Sequence, residues 1–245
     1  MTSIRYDIMN KTRFILSLVL IALVAGTLHA QYRFQVKEVD FDLIKRETLN
    51  PNSRYYYPKL VKSFKSNDTI MNFEAYRDLY YGFVFQEDYN PFRHNDFAGK
   101  DEVEELYYKN PLTREECNKI EKYAEMALDD NLFDIEQLNY YIYALKEKKK
   151  YARAAVRQYR LDKLIAAIMS SGRGTEDEPW VVLFPEHEYT LINFLGYVAK
   201  DHLELDGGID CIKAVSDSDN KKAKDFYFDV SRMLQEAARK FPDDF

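Results

Sequence analysis

Between Val39 and Ile168 the apolar residues return every three or four positions, the spacing of helices that each bury one face. Phe41, Ile44 and Leu49 mark a first helix over 39–49, ended by Asn50-Pro51-Asn52. Tyr57-Pro58 opens a second, because proline is tolerated in a first turn, where its missing N–H has no intrahelical partner to lose. Leu60, Val61 and Phe64 share its inner face. Asn72 is placed to cap a third helix, along which Phe73, Tyr76, Leu79, Tyr80 and Phe83 recur. Asn90-Pro91 breaks that pattern, and a loop holding His94, Asn95 and Asp96 runs to Lys100. Three longer helices follow. Thr113 with Glu116 three residues on is a capping box, and Ile120, Tyr123, Ala124, Ala127 and Leu128 line the helix behind it. Asp134 caps the next, with Ile135, Leu138, Tyr141, Ile142 and Leu145 inward. After a polar turn at 146–150, Ala154, Leu161, Leu164, Ile165 and Ile168 carry the last, which Gly172 ends. Helices of this length joined by short turns pack as antiparallel neighbours.

From residue 172 the period changes. Gly172 to Thr175 and an acidic run form a linker. Pro179 and Pro185 then bracket Trp180-Val181-Val182-Leu183-Phe184, an apolar run of strand length with no polar face. Tyr189, Ile192 and Leu195 align as a short helix over 188–196 with Gly196 as its stop. Leu203-Glu204-Leu205 and Ile209 to Val215 flank Asp206-Gly207-Gly208, a hairpin signal. Phe226, Phe228 and Val230 alternate with Tyr227 and Asp229 as a half-buried strand. Ser231 reads as the cap of a final helix, with Leu234, Ala237, Ala238 and Phe241 on one face. The expected fold is α+β. A helical, tetratricopeptide-like domain spans 31–171. A small, mainly antiparallel sheet with a packed C-terminal helix spans 172–245.

The tetratricopeptide reading rests on spacing. Tyr151 and Ala154 stand where that repeat places an aromatic and a small residue, and a 34-residue step maps Ala154 onto Ile120 and Leu161 onto Ala127. About one and a half repeats fit residues 113–171, whereas such arrays need about three to stand alone. Another part of the chain must therefore cover the open face. A generic helical bundle is the alternative.

The N-terminus adds a compartment. Lys11 and Arg13 precede an apolar run from Phe14 to Gly26, and Leu28-His29-Ala30 offers a small residue at which to cut, the layout of a secretory signal peptide over 1–30. The run is shorter than the about 20 residues of a membrane span. Gln31 and Tyr32 stand where a lipoprotein would carry cysteine. The expectation is an exported protein, periplasmic or secreted, with no stable membrane insertion after cleavage. Met9, directly before the basic residues, is an alternative start to Met1.

Charge and composition narrow the rest. The chain carries a net charge of −6. Loss of the leader, with Arg5, Lys11 and Arg13 against Asp7, leaves it more acidic still, which argues against a nucleic-acid partner. Scarce Gly and Pro favour helices over a many-turned β fold. Cys117 and Cys211 are expected as buried free thiols; a disulfide between them is the alternative that an oxidising compartment permits. Tyrosines come in runs, among them Tyr55-Tyr56-Tyr57, Tyr80-Tyr81, Tyr107-Tyr108 and Tyr140-Tyr141. Neighbours on a helix point about 100° apart, so one of each pair is expected at a groove or interface. The candidate partner groove is therefore Tyr80, Tyr81, Tyr107, Tyr108, Tyr140 and Tyr141, since peptides and sugars both favour aromatic platforms.

Three stretches together resemble a known family: Ser53-Arg54-Tyr55-Tyr56-Tyr57-Pro58, Tyr76 to Gly82, and Asp88-Tyr89-Asn90-Pro91. With Gly174-Thr175 and Phe226 to Ser231, they are similar to the hallmark segments of the secreted Bacteroidetes domain-of-unknown-function family 4919, over most of residues 38–232. The resemblance implies export and a helical architecture, some members being labelled tetratricopeptide-like. It implies no activity and no catalytic residues.

Catalytic constellations are thin. His187-Glu188 lacks the second histidine four residues after the first that zinc protease helices use, since residue 191 is leucine, and Pro185-Glu186-His187 reads instead as a polar turn. His202 with Cys211 is a conceivable base and nucleophile pair from one hairpin, and Glu186 with Glu188, or Glu87 with Asp88, a conceivable carboxylate pair. No glycine loop suited to phosphate is present. No cofactor and no metal are expected. The expected function is a non-enzymatic module for a protein or peptide partner; the alternatives are a carbohydrate-binding accessory protein and, behind it, a hydrolase.

Overall fold

Side chains standing just ahead of four of the described helices set where those begin. In this computed structural model, which describes residues 36–66, 71–93, 96–216 and 222–242, Asp40 accepts the N–H of Leu43 and starts α1 (Phe41–Leu49). Tyr57 and Pro58 open α2 (Tyr57–Lys65). Asn72 accepts the N–H of Ala75 and starts α3 (Phe73–Gly82), which runs into a short 3-10 turn at Phe83–Phe85. The capping box forms in full: Thr113 Oγ1 takes the N–H of Glu116, and the Glu116 carboxylate takes that of Thr113. The helix they open is α5 (Arg114–Asp130). Asp134 accepts the N–H of Gln137 ahead of α6 (Ile135–Glu147), and α7 follows (Tyr151–Met169).

One helix escapes the sequence reading. α4 (Lys100–Tyr107) lies between the loop that ends at Lys100 and the cap at Thr113, where the sequence pattern assigns no element. Its start is Gly99 at a φ of 92°, with no side-chain cap, and Val103 is its one buried residue. A helix without a polar cap and with so narrow an apolar stripe leaves little periodicity to read.

The second half forms a four-stranded sheet in the order β1-β4-β3-β2. The strands are β1 (Trp180–Val181), β2 (Tyr197–Leu205), β3 (Ile209–Ser216) and β4 (Lys224–Asp229). β2 and β3 form the expected hairpin, in which Gly207 and Gly208 adopt φ of 81° and 75° as a tight hairpin turn requires. β3 pairs antiparallel with β4, and β1 pairs with β4 in parallel. α8 (Pro185–Phe194) packs on β2, and α9 (Ser231–Lys240) ends the described fold. Ser231 does not cap α9: the Asp229 carboxylate takes the Ser231 N–H instead, and Ser231 is already the first helical residue. The architecture is α+β, a mostly helical region followed by a small mixed sheet and a C-terminal helix.

The expected strand over 180–184 stops after two paired residues, although the whole run is buried. The N–H of Val182 still reaches the carbonyl of Asp229 in β4 at 3.2 Å, and other backbone groups of the run find partners among tyrosines. The phenol of Tyr81 donates to the carbonyl of Val181 at 3.3 Å, that of Tyr89 donates to the carbonyl of Leu183 at 2.7 Å, and the oxygen of Tyr80 accepts the N–H of Leu183 at 3.0 Å. Buried backbone groups must be paired, and here three phenols do what a neighbouring strand would.

That contact also unites the molecule. One buried cluster runs from Ile44 through Tyr80 and Ile168 to Trp180, Phe226 and Met233. α7 packs against α6 and against α3, and β1 lies on α7. Among the described residues no helix is long and apolar enough to cross a membrane. The leader over 1–30, its cut after Ala30 and the choice between Met1 and Met9 lie outside the described residues, as do His94 and Asn95.

Candidate functional site

Helix α3 packs against α1, α2 and α7, and both members of its tyrosine pair are core. Tyr80 and Tyr81 are 0% exposed, which removes them from the candidate groove. The phenol of Tyr80 donates to His187 Nδ1 at 2.8 Å, while His187 Nε2 donates to the carbonyl of Phe133 at 2.8 Å. With a carbonyl as its partner Nε2 must carry the proton, so Nδ1 is the acceptor and the imidazole is neutral. Burial lowers its pKa to about 4. His187 is therefore a structural pin joining α3, the turn before α6, and α8. The expected polar turn at 185–187 is instead the first turn of α8, in which His187 is buried and Glu186 exposed.

Tyr141 is likewise buried, with its phenol donating to Glu125 and accepting from Arg153 at 3.0 Å. Tyr107 and Tyr140 do come together: their rings stack at 3.4 Å and 4°, and the phenol of Tyr107 donates to Gln137 at 2.8 Å. Tyr108 beside them is 90% exposed. The six candidates thus divide into three internal rings and a surface group of three.

Cys117 and Cys211 are both free and buried, the first on α5 and the second on β3. Strand alternation separates Cys211 from His202. In the β2–β3 register Cys211 is opposite Leu203 and His202 is opposite Ile212, so thiol and imidazole point to opposite faces of the sheet. Burial also pushes the thiol pKa up, away from a nucleophilic thiolate. The geometry offers no Cys–His dyad.

Two other places hold polar groups in unusual settings. The first is a cavity of about 280 Å³ among α2, α5, α6 and α7. Phe64, Leu128, Leu132 and Leu138 give it apolar walls, Arg157 and Arg160 of α7 bring two guanidinium groups to it, and Lys65, Glu125, Asp129 and Tyr141 complete the lining. Arg157 lies over the ring of Tyr141 at 4.6 Å. Arg160, only 8% exposed, donates through Nη2 to the carbonyls of Phe64 and Lys65, and its Nε–H has no partner. Among the described residues neither arginine has a carboxylate within ion-pair distance, whereas Lys65 pairs with Asp129 and Arg153 with Glu121. Burial, aided by Arg157, lowers the Arg160 pKa to about 10, so the group stays charged at neutral pH. A buried charge without a counter-ion is costly. An arginine pair in a partly apolar recess is an arrangement that can receive a carboxylate in two parallel hydrogen bonds.

The second place is where α8 meets the hairpin. Glu188 is 1% exposed and lies against Asp210 of β3 and His202 of β2. His202 Nε2 is 3.3 Å from Asp210 Oδ2, and Tyr189 stands 3.4 Å from His202 Nδ1. Burial, with the neighbouring Asp210 charge, pushes the Glu188 pKa up to about 9. Sequence reasoning singled out His202 and Glu188 separately and did not join them with Asp210. The missing link was the hairpin register, which puts Glu204 opposite Asp210 and so brings His202, two residues along, diagonal to Asp210 on the same face.

The chain matches the family described as Domain of unknown function (DUF4919) over residues 42–239. Comparison with curated proteins and with solved structures finds no match.

Proposed function

This chain belongs to the DUF4919 family, and from that footing we propose that it is an exported, non-enzymatic binding module whose helical cleft takes an acidic segment of a protein or peptide partner. The observation that carries this reading is Arg160, buried in the cavity wall with a free Nε–H and no carboxylate partner. The leader over 1–30 supports export. A cavity of about 280 Å³ is just below the roughly 300 Å³ at which ligand pockets begin, so it suits one or two side chains of a longer ligand rather than a whole cofactor. The apolar walls take the methylenes of a glutamate, and the guanidinium pair takes its carboxylate.

Fluorescence anisotropy on short labelled peptides tests this. Glu-rich peptides are expected to bind and their Gln-substituted counterparts to bind at least tenfold more weakly, with affinity falling as salt rises. Equal binding of the two sets, or none, would remove the acidic-segment reading. Tyr108 supports a second reading, a glycan platform completed by Tyr107 and Tyr140, because stacking on sugars needs an exposed ring face. Glycan-array binding that disappears in Tyr108→Ala would favour that platform instead.

A further inference from the structure

We propose that Glu188, His202 and Asp210 form a binding site for one divalent transition-metal ion of the zinc type, separate from the helical cleft. Each residue offers one ligand atom, and those atoms all lie within 4.8 Å of one another. His202 Nε2 and Asp210 Oδ2, at 3.3 Å, already match the edge of a zinc tetrahedron, about 3.4 Å for bonds of 2.0–2.1 Å. The pointer to a ligand is Glu188. Its carboxylate is 1% exposed, yet Oε2 has no hydrogen-bond partner. A buried acceptor without a donor is normally excluded from a folded interior. A cation bridging it to Asp210 and His202 would satisfy it.

The frame suits such a role. The three ligands come from α8, β2 and β3, regular elements that hold positions better than loops do. Tyr189 lies next to His202 Nδ1, and an Nδ1–H donated to that phenol oxygen would leave Nε2 as the metal-facing nitrogen. The His202 side chain is 34% exposed, so water reaches the site and completes a fourth position. One imidazole and two carboxylates select zinc or a similar first-row ion over magnesium or calcium, which take oxygen ligands alone. Both cysteines lie elsewhere: Cys211 is on the opposite face of the hairpin and Cys117 is in α5.

Isothermal titration of the untagged, metal-stripped full chain with ZnCl2 reads the site, and Co2+ substitution adds a spectrum that reports tetrahedral ligation. One equivalent of Zn2+ is expected to bind, with a rise in Tm. His202→Ala and Glu188→Gln are each expected to weaken binding at least tenfold and to abolish the Tm rise. His202 is partly exposed, so His202→Ala stays folded and readable even if Glu188→Gln does not. Absence of Zn2+ binding, or binding that His202→Ala leaves unchanged, would overturn the proposal.

Discussion

Replacing Tyr80 with phenylalanine is expected to cost about 3 kcal/mol of folding stability, although it removes a single oxygen from a fully buried ring. The phenol has two partners, the N–H of Leu183 at 3.0 Å and His187 Nδ1 at 2.8 Å. Neither reaches water, so the variant strands one buried donor and one buried acceptor, each worth roughly 1–3 kcal/mol when left unpaired. Urea unfolding reads the loss as a lower midpoint with unchanged slope. The control is Tyr189→Phe, whose ring is partly exposed and whose loss should stay within about 0.5 kcal/mol. A loss below about 1 kcal/mol for Tyr80→Phe would mean that the phenol does not hold the segment after β1.

The same junction carries a pH signature. His187 has a folded pKa of about 4 against an ordinary 6.5. Between those values the unfolded chain binds a proton that the native chain refuses. The contribution of His187 is complete above pH 6.5 and is lost as pH falls toward 4, by about 3 kcal/mol in all. Glu188 runs the other way, because its raised pKa withdraws stability as pH rises from the ordinary carboxylate range toward 9. Comparison with a non-titrating His187→Phe variant isolates the histidine. The stability gap between wild type and variant should narrow by about 3 kcal/mol from pH 7 to pH 4.

Arg160→Met is expected to abolish acidic-peptide binding while leaving the stability of the fold nearly unchanged. The guanidinium is buried, its Nε–H is unpaired and it has no counter-ion among the described residues, so the free protein bears a desolvation cost that methionine does not. Methionine keeps the packing against Phe64 but forfeits the bonds to the carbonyls of Phe64 and Lys65. The net change should lie within about 1 kcal/mol of zero. Peptide affinity should fall about 30-fold or more, the size of a buried charged pair losing one member. Thermal unfolding and anisotropy on the same sample separate the two effects. A destabilised variant that still binds would reverse both signs and assign Arg160 to the fold alone.

What could be read along the chain was what local chemistry decides. The caps at Asn72, Thr113 and Asp134 and the Asp206-Gly207-Gly208 turn act within three or four residues, and all form as expected. The Tyr80-Tyr81 pair failed differently, since neither ring reaches the surface. Whether both members of a pair on a helix are buried depends on how many elements pack on it, and α1, α2 and α7 all pack on α3. Arg160 did carry a signal: it stands four residues before Leu164 on the apolar stripe of α7, where a charge is out of place. The Glu188–His202–Asp210 group was legible in part. Hairpin register places His202 near Asp210, but only the docking of α8 on β2 brings Glu188 to them.

The central claim is that the cleft of α2, α5, α6 and α7 receives a carboxylate. The Arg160 Nε–H resonance in a 1H–15N spectrum reports it most directly, because that proton has no partner in the free protein. A Glu-rich peptide should shift this signal saturably, and the Gln-substituted peptide should leave it in place. An unmoved signal, or an equal shift with both peptides, would contradict the account.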